Sequence, residues 1–400
     1  MIFTPKQYLW HGFGTLVLSL IASIFFNAIC SSDFISPINK ALDSFNLYDL
    51  CNHYINHNSD NKAEQELEIN DDILLFSIAG CNSREEIAGK LQQITNLKPR
   101  VIGMDVIFGE NSTTGKAVDD SLLRVVSRCP QLVTAKRITQ HGDEVAVEHS
   151  FYTKLGNVDE ACINIEDGIV RNFLRKLEVN DIQAQSFVDR IIERAYPEVY
   201  AELEKRGQNE ERINYKPIEF LQLGMQDELF PEDVENKVVL IGDFEDLRDF
   251  HNIPTSIGGT SRIAGTKIHA YAITTLTKGR TIEQMGTIGG YILGFIVSYI
   301  FSIIACVCFV ECDKLAGFLT NLVMIFTIFI ISSVYGIIMI EYKYEPNITT
   351  ALLGVGLAGF TSEIWFWLCT TRPYQWIQRK FHLPDGGVRI YVDSNGQRNA

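Results

Sequence analysis

Apolar residues along this chain follow two patterns. In the first they fill long blocks: Leu9 to Ile29, 286–310, 315–340 and 348–369, the first three without Asp, Glu, Lys or Arg and the last interrupted only by Glu363. Each is long enough to cross a bilayer core of roughly 30 Å, which takes about 20 helical residues. The last three are separated only by ECDK and EYKYEPN, so they predict three closely linked transmembrane helices. The first block is read as a span rather than a cleaved signal, because Phe25-Phe26-Asn27 stands where a signal peptide needs small residues.

Between the first and second blocks the pattern is short and periodic. Ile73 to Ala79 is an apolar run of the kind buried on both faces of a sheet. Asn82-Ser83, with Glu86 three residues after the serine, signals a helix start, and Ile87, Leu91 and Ile94 keep helical spacing up to Pro99. Val101 to Phe108 then predicts a second strand, which makes a right-handed parallel crossover. The unit repeats with a helix over Asp119 to Cys129 and a strand over Gln131 to Ala135.

Further on, Val145 and Val147 alternate, and Asp167-Gly168 between Cys162–Ile165 and Ile169–Leu174 predicts a hairpin. Residues 184–206 predict one amphipathic helix, and Ile213 to Pro217 a short extended run. Lys237 to Gly242 is another doubly buried strand, followed by a polar loop over 243–262 and a helix over 264–278 with Ile268, Ala272, Ile273 and Leu276 on one face. Before all of these, Ile38, Leu42, Phe45 and Leu50 predict a helix leaving the membrane, then a polar segment where His53 and His57 read as solvated rather than metal-binding. The expected fold is an α/β extracytoplasmic domain, a mostly parallel sheet flanked by helices, on a four-span α-helical membrane anchor.

Charge adds orientation. Lys6 precedes the first span, and Arg372, Arg379, Lys380, Arg389 and Arg398 follow the fourth against Asp385 and Asp393, so both termini are expected in the cytoplasm. The expected organisation is a span over 1–30, an outer domain over 31–285, three spans over 286–369 and a cytoplasmic tail over 370–400. The outer segment carries 42 Asp and Glu against 27 Lys and Arg, so it holds more than the whole net charge of −14. Such a surface argues against nucleic acid as a partner. The outer cysteines, Cys30, Cys51, Cys81, Cys129 and Cys162, are irregularly spaced and read as buried thiols, with neither a disulfide framework nor a zinc site.

Candidate chemistry gathers at strand ends. Asp105 stands amid Ile, Val and Met; a bare buried carboxylate costs several kcal/mol, so it is paired, metal-bound or at the strand edge, with Arg84 and Arg171 as candidate partners. Glu110 follows the same strand, where open parallel sheets bind ligands. Asp249, His251 and Thr255 lie in the loop after Gly242, and His269 near the start of the next helix. GxGxxG occurs only as Gly354–Gly359 inside the last apolar block, outside any strand–helix context, no P-loop or GxSxG motif is present, and these eight residues read as ligand-binding or coupling groups rather than a catalytic set, without metal or cofactor. Glu363 in the last span reads as solvated or paired with Lys380 near the inner interface.

The segments SREEIAGKLQQI and NLKPRVIGMDVIF within 83–108, DDSLLRVV at 119–126, DGIVRNF at 167–173, and KVVLIGDFED, DFHNIPTS and AGTKIHAYAITTL within 237–276 resemble the type-two cyclase/histidine-kinase-associated sensory extracellular (CHASE) domain over about residues 70–282. The resemblance implies a bacterial extracytoplasmic sensory module with one span before it and three after it. Members of that family commonly feed kinases or cyclases inside the cell, whereas 31 residues after Cys369 are too few for a catalytic domain, so a separate output partner is expected. The leading expectation is therefore a non-enzymatic signal-transducing protein of the bacterial inner membrane that binds an unknown extracytoplasmic ligand and acts on a separate signalling or envelope protein. A homo-oligomer is compatible with it. The alternative is an envelope scaffold or assembly factor whose outer domain is a protein-binding surface.

Overall fold

A computed structural model describes residues 4–30, 46–58, 68–81, 83–109, 116–142, 144–166, 168–180, 182–256, 259–311 and 315–384. The chain divides into two compact units, residues 44–282 and residues 1–43 together with 283–400.

The first unit opens with helix α1 (Leu47–Asn58) and is built on a seven-stranded sheet. Its strands are β1 (Glu68–Ser77), β2 (Val101–Met104), β3 (Leu132–His141), β4 (Glu144–Glu148), β5 (Glu160–Cys162), β10 (Ile218–Gly224) and β11 (Val238–Gly242). The order is β10-β1-β11-β2-β3-β4, with β5 also on β3; every pairing is parallel except the β3–β4 hairpin. Strand β11, late in the chain, thus lies between β1 and β2.

Both faces of the sheet are covered, which is why its strands read as continuous apolar runs. One register row, Leu74, Val239, Ile102 and Leu132, packs under α2 (Arg84–Asn96) and α3 (Lys116–Val126), meeting Ile87, Leu91, Ile94 and Leu122. The adjacent row, Leu75, Leu240, Gly103 and Val133, faces α4 (Phe187–Ala195) and α6 (Gly265–Thr277), defined below with their neighbours. A Cβ at Gly103 would crowd Ile191, Phe187 and Leu240, so this glycine lets α4 lie close on the sheet. The Ser83 hydroxyl accepts from the Glu86 amide and caps α2 as its sequence predicts.

Three expectations change. The run 184–206 is not one helix: β8 (Ile182–Gln185) leads into α4, and α5 (Pro197–Arg206) follows after a break at Tyr196, because a residue before proline is pushed out of the helical region. No hairpin joins the segments flanking Asp167-Gly168. β5 pairs with β3, and β6 (Asn172–Leu174) pairs with β9 (Glu210–Arg212). The hairpin is β7 (Lys176–Val179) with β8, turning at Asn180, whose φ of 53° is left-handed. The stretch after β11 is not an irregular loop but a short 3-10 turn at Leu247–Asp249 and a second hairpin, β12 (Phe250–Ser256) with β13 (Gly259–Ala264). The predicted helix before residue 46 lies outside the described residues, as does the side chain of His57. Cys51, Cys129 and Cys162 are buried thiols and Cys81 is half-buried.

In the second unit, four helices among the described residues are long and apolar enough to cross a membrane: Pro5–Cys30, Thr287–Glu311, Ala316–Tyr342 and Thr349–Cys369. The first, second and fourth pack on one another, and a Ser19–Thr361 hydroxyl pair at 2.6 Å and a Trp365 indole donating to His11 at 2.9 Å lie between them. Gly12, Gly14, Gly290, Gly294 and Gly354 permit close approach, against Ile303, Trp365, Asn347, Thr350 and Ser298 respectively, whereas Gly286 and Gly356 face open space. Glu363 is exposed, and the Lys380 expected beside it lies instead over the Trp376 ring, 4.8 Å from its centre, on the amphipathic helix Arg372–Phe381.

The most deeply buried ion pair joins Arg175 to Asp189 of α4 at 2.6 Å, with Glu204 of α5 at 2.7 Å on the other side of the guanidinium. Arg175→Ala leaves Asp189 buried and unpaired, and should cost about 3–5 kcal/mol in urea unfolding of the detergent-solubilised chain. A loss below about 1 kcal/mol would contradict this account of the β7–α4–α5 packing.

Candidate functional site

The two-residue period of β2 sends Val101, Gly103 and then Asp105 toward the face covered by α4 and α6. Asp105 follows the last strand residue, and its amide still donates to Ile241 of β11 at 2.8 Å. Its carboxyl therefore sits at the C-terminal edge of the two central strands, beneath the first turn of α6, with a side-chain exposure of 4%.

Two residues of α6 meet it. Thr266 donates its hydroxyl to Asp105 Oδ2 at 2.7 Å, and His269, three residues on and so on the same helix face, brings Nε2 to 3.8 Å from that oxygen. Thr266 reaches down because Gly242 ends β11 without a side chain: a Cβ there would overlap the threonine hydroxyl. Outside the pair, Asp249 accepts from the Gly265 amide at 3.1 Å, a carboxylate at a helix N-terminus, and a Cβ at Gly265 would crowd it. His251 Nε2 is 3.8 Å from Asp249 Oδ1, and both side chains stand at the rim, about 30% exposed.

Burial dominates the electrostatics. It raises the Asp105 carboxyl to about 8; the Asp249 charge adds to the rise, while the Thr266 hydrogen bond and the Arg137 charge on β3 oppose it. Burial likewise lowers His269 to about 4, against the charge of Asp249. Near pH 7 the pair is therefore neutral, a carboxylic acid facing a neutral imidazole. Such a pair donates or accepts hydrogen bonds with little net charge.

The structure thus brings Asp105, Asp249, His251 and His269 together. It does not pair Asp105 with either arginine. Arg171 forms a bidentate bond with Asp49 of α1, at 2.7 Å from Nη2 to Oδ2, and Arg84 donates to the Gly109 carbonyl at 2.8 Å while lying over Phe108 and Phe151. Glu110 and the Thr255 side chain lie outside the described residues. Thr266, Gly265 and Arg137 are not singled out by the sequence reading, which takes Gly242 only as the end of its strand; the threonine three residues before His269 is the signal that points to the contact. Among the described residues no group of three or more His, Cys, Asp or Glu side chains is placed to hold a metal ion.

A mostly parallel three-layer α/β domain in a chain with four membrane-length helices defines a membrane protein with an α/β outer domain, its polar groups collected where the central strands end. The family model of the CHASE2 domain matches residues 68–306, more than half of the chain, and the protein belongs to that family of sensory extracellular domains. No curated protein and no solved structure matches it.

Two outcomes check the site. Between the ordinary carboxyl value of 3.8 and about 8 the folded state holds a proton on Asp105 that the unfolded chain has lost, so stability falls as pH rises through that window. His269 acts in the opposite sense between about 4 and 6.5 and offsets the fall there. The net decline should therefore appear between about pH 6.5 and 8, on the order of 1–2 kcal/mol, and Asp105→Asn should flatten it; a flat wild-type profile would sink the protonated-acid assignment. Separately, Gly242→Ala should destabilise by about 1–3 kcal/mol through Thr266, whereas Gly109→Ala, whose Cβ meets nothing, should not. Equal effects of the two in urea unfolding would count against the close approach.

Proposed function

We propose that this protein is a signal-transducing sensor of the bacterial inner membrane, with both termini in the cytoplasm. Its outer domain binds an extracytoplasmic signal at the C-terminal edge of β2 and β11, and a change there passes through α6 to the spans and a separate signalling or envelope protein. The observation that carries this reading is the position of α6: its first turn holds Thr266 against Asp105, and nine residues after its end at Thr277 the second span begins at Thr287. A ligand that favours one arrangement of α6 thereby biases the chain entering the membrane. The neutral acid–imidazole pair serves recognition, since it offers hydrogen-bonding groups with little net charge.

Thermal-shift screening of the detergent-solubilised chain against cell-envelope metabolites tests it. A ligand at 100 times its Kd stabilises the folded state by about 2.7 kcal/mol, and that gain should shrink in Asp105→Asn. A silent screen together with co-purification of a stoichiometric partner would replace the sensor with a scaffold.

A further inference from the structure

Behind the polar cluster, the outer domain contains a cavity of about 110 Å³ between α6, α4 and the segment 162–177. Its wall is largely apolar, with Val170, Phe173, Leu177, Val188 and Ile268 among the lining side chains. His269 forms part of the same wall. That histidine is 5% exposed, and its Nε2 makes no hydrogen bond among the described residues, standing 3.8 Å from Asp105 Oδ2. A buried ring nitrogen without a partner is unfavourable, and a ligand group bonded to it removes that cost. An apolar cavity of ~150 Å³ holds a benzene molecule without water; at about 110 Å³ this one is smaller, which limits its occupant to a single small ring. Glu166 stands on its lining, with the Glu210 charge close by and only partly offset by Arg212, which disfavours an anion.

We infer that this cavity is a binding site for a small, uncharged, hydroxylated ring compound, its ring against Phe173, Val188 and Ile268 and its hydroxyl donating to His269. The inference deepens the sensor reading and rests on it for its biological meaning. Through His269 the ligand reaches Asp105 and Thr266, so occupancy of the cavity and the position of the first turn of α6 share one side chain.

The probe is 4-fluorophenol, followed by ¹⁹F NMR on the full-length chain in detergent, with fluorobenzene and 4-fluorobenzoate as companions. The expected result is saturable binding of 4-fluorophenol, at least fivefold weaker binding of fluorobenzene and none of 4-fluorobenzoate. Leu177→Trp, a half-buried position at which the larger ring fills the cavity, should abolish saturable binding while leaving the urea midpoint within error. His269→Phe should reduce the phenol's advantage over fluorobenzene to less than twofold. A non-saturable signal unchanged in Leu177→Trp, as partition into detergent gives, would overturn the inference, and so would equal binding of 4-fluorobenzoate. Those failures leave the sensor reading to the wider metabolite screen, which fails on its own terms if it is silent.

Discussion

Among the described residues, the carboxyl group at the end of β2 has no cation in contact with it to outweigh its burial, the Arg137 charge opposing only part of the rise. Asp105 is covered by α6, its amide bonds β11, and the side chain hydrogen-bonded to its carboxyl among the described residues is a hydroxyl. Burial of this kind favours the protonated acid, and the surroundings follow from that requirement. Gly242 gives up a side chain so that Thr266 can reach the acid, and Gly265 gives one up so that Asp249 can cap the helix from outside. Two carboxylates are thus kept apart in role: one neutral and buried, the other solvated at a helix N-terminus.

The rest of the outer domain makes that arrangement stiff. Rows of apolar side chains cross four parallel strands and are covered on both faces, so the end of β2 is held by its neighbours rather than by a loop. The Arg175–Asp189–Glu204 cluster fastens α4 and α5 beside it. In the proposed reading, the element that responds is the helix that contacts the acid and precedes the second span. Membership of the CHASE2 family, a family of sensory extracellular domains, agrees with a recognition role for this edge of the sheet.

Much of this was legible before any coordinates. Ile73–Ala79 and Lys237–Gly242 read as doubly buried strands because a sheet covered on both faces needs no polar alternation, and Ser83 with Glu86 marked α2 because capping is a local contact. Asp105 stood out because a carboxylate amid apolar neighbours is costly wherever it lies. Pairings between distant segments were not legible. Nothing local places β11 between β1 and β2, and Arg171 was lost as a partner for Asp105 to Asp49, a residue 122 positions away. The Asp167-Gly168 signal failed for the same reason, since Asn172–Leu174 found its partner at Glu210–Arg212. β10 was passed over because Pro217 precedes it and its exposed positions, Glu219, Leu221 and Gln222, blur the alternation of an edge strand.

The central claim is that recognition in the outer domain reaches the membrane through α6. Hydrogen–deuterium exchange on the full-length chain in lipid nanodiscs, with and without a ligand that stabilises it, tests this most directly. The account predicts slower exchange in the first turns of α6 and a changed rate through residues 278–290. Protection confined to the outer domain, with 278–290 exchanging identically in both states, would contradict it.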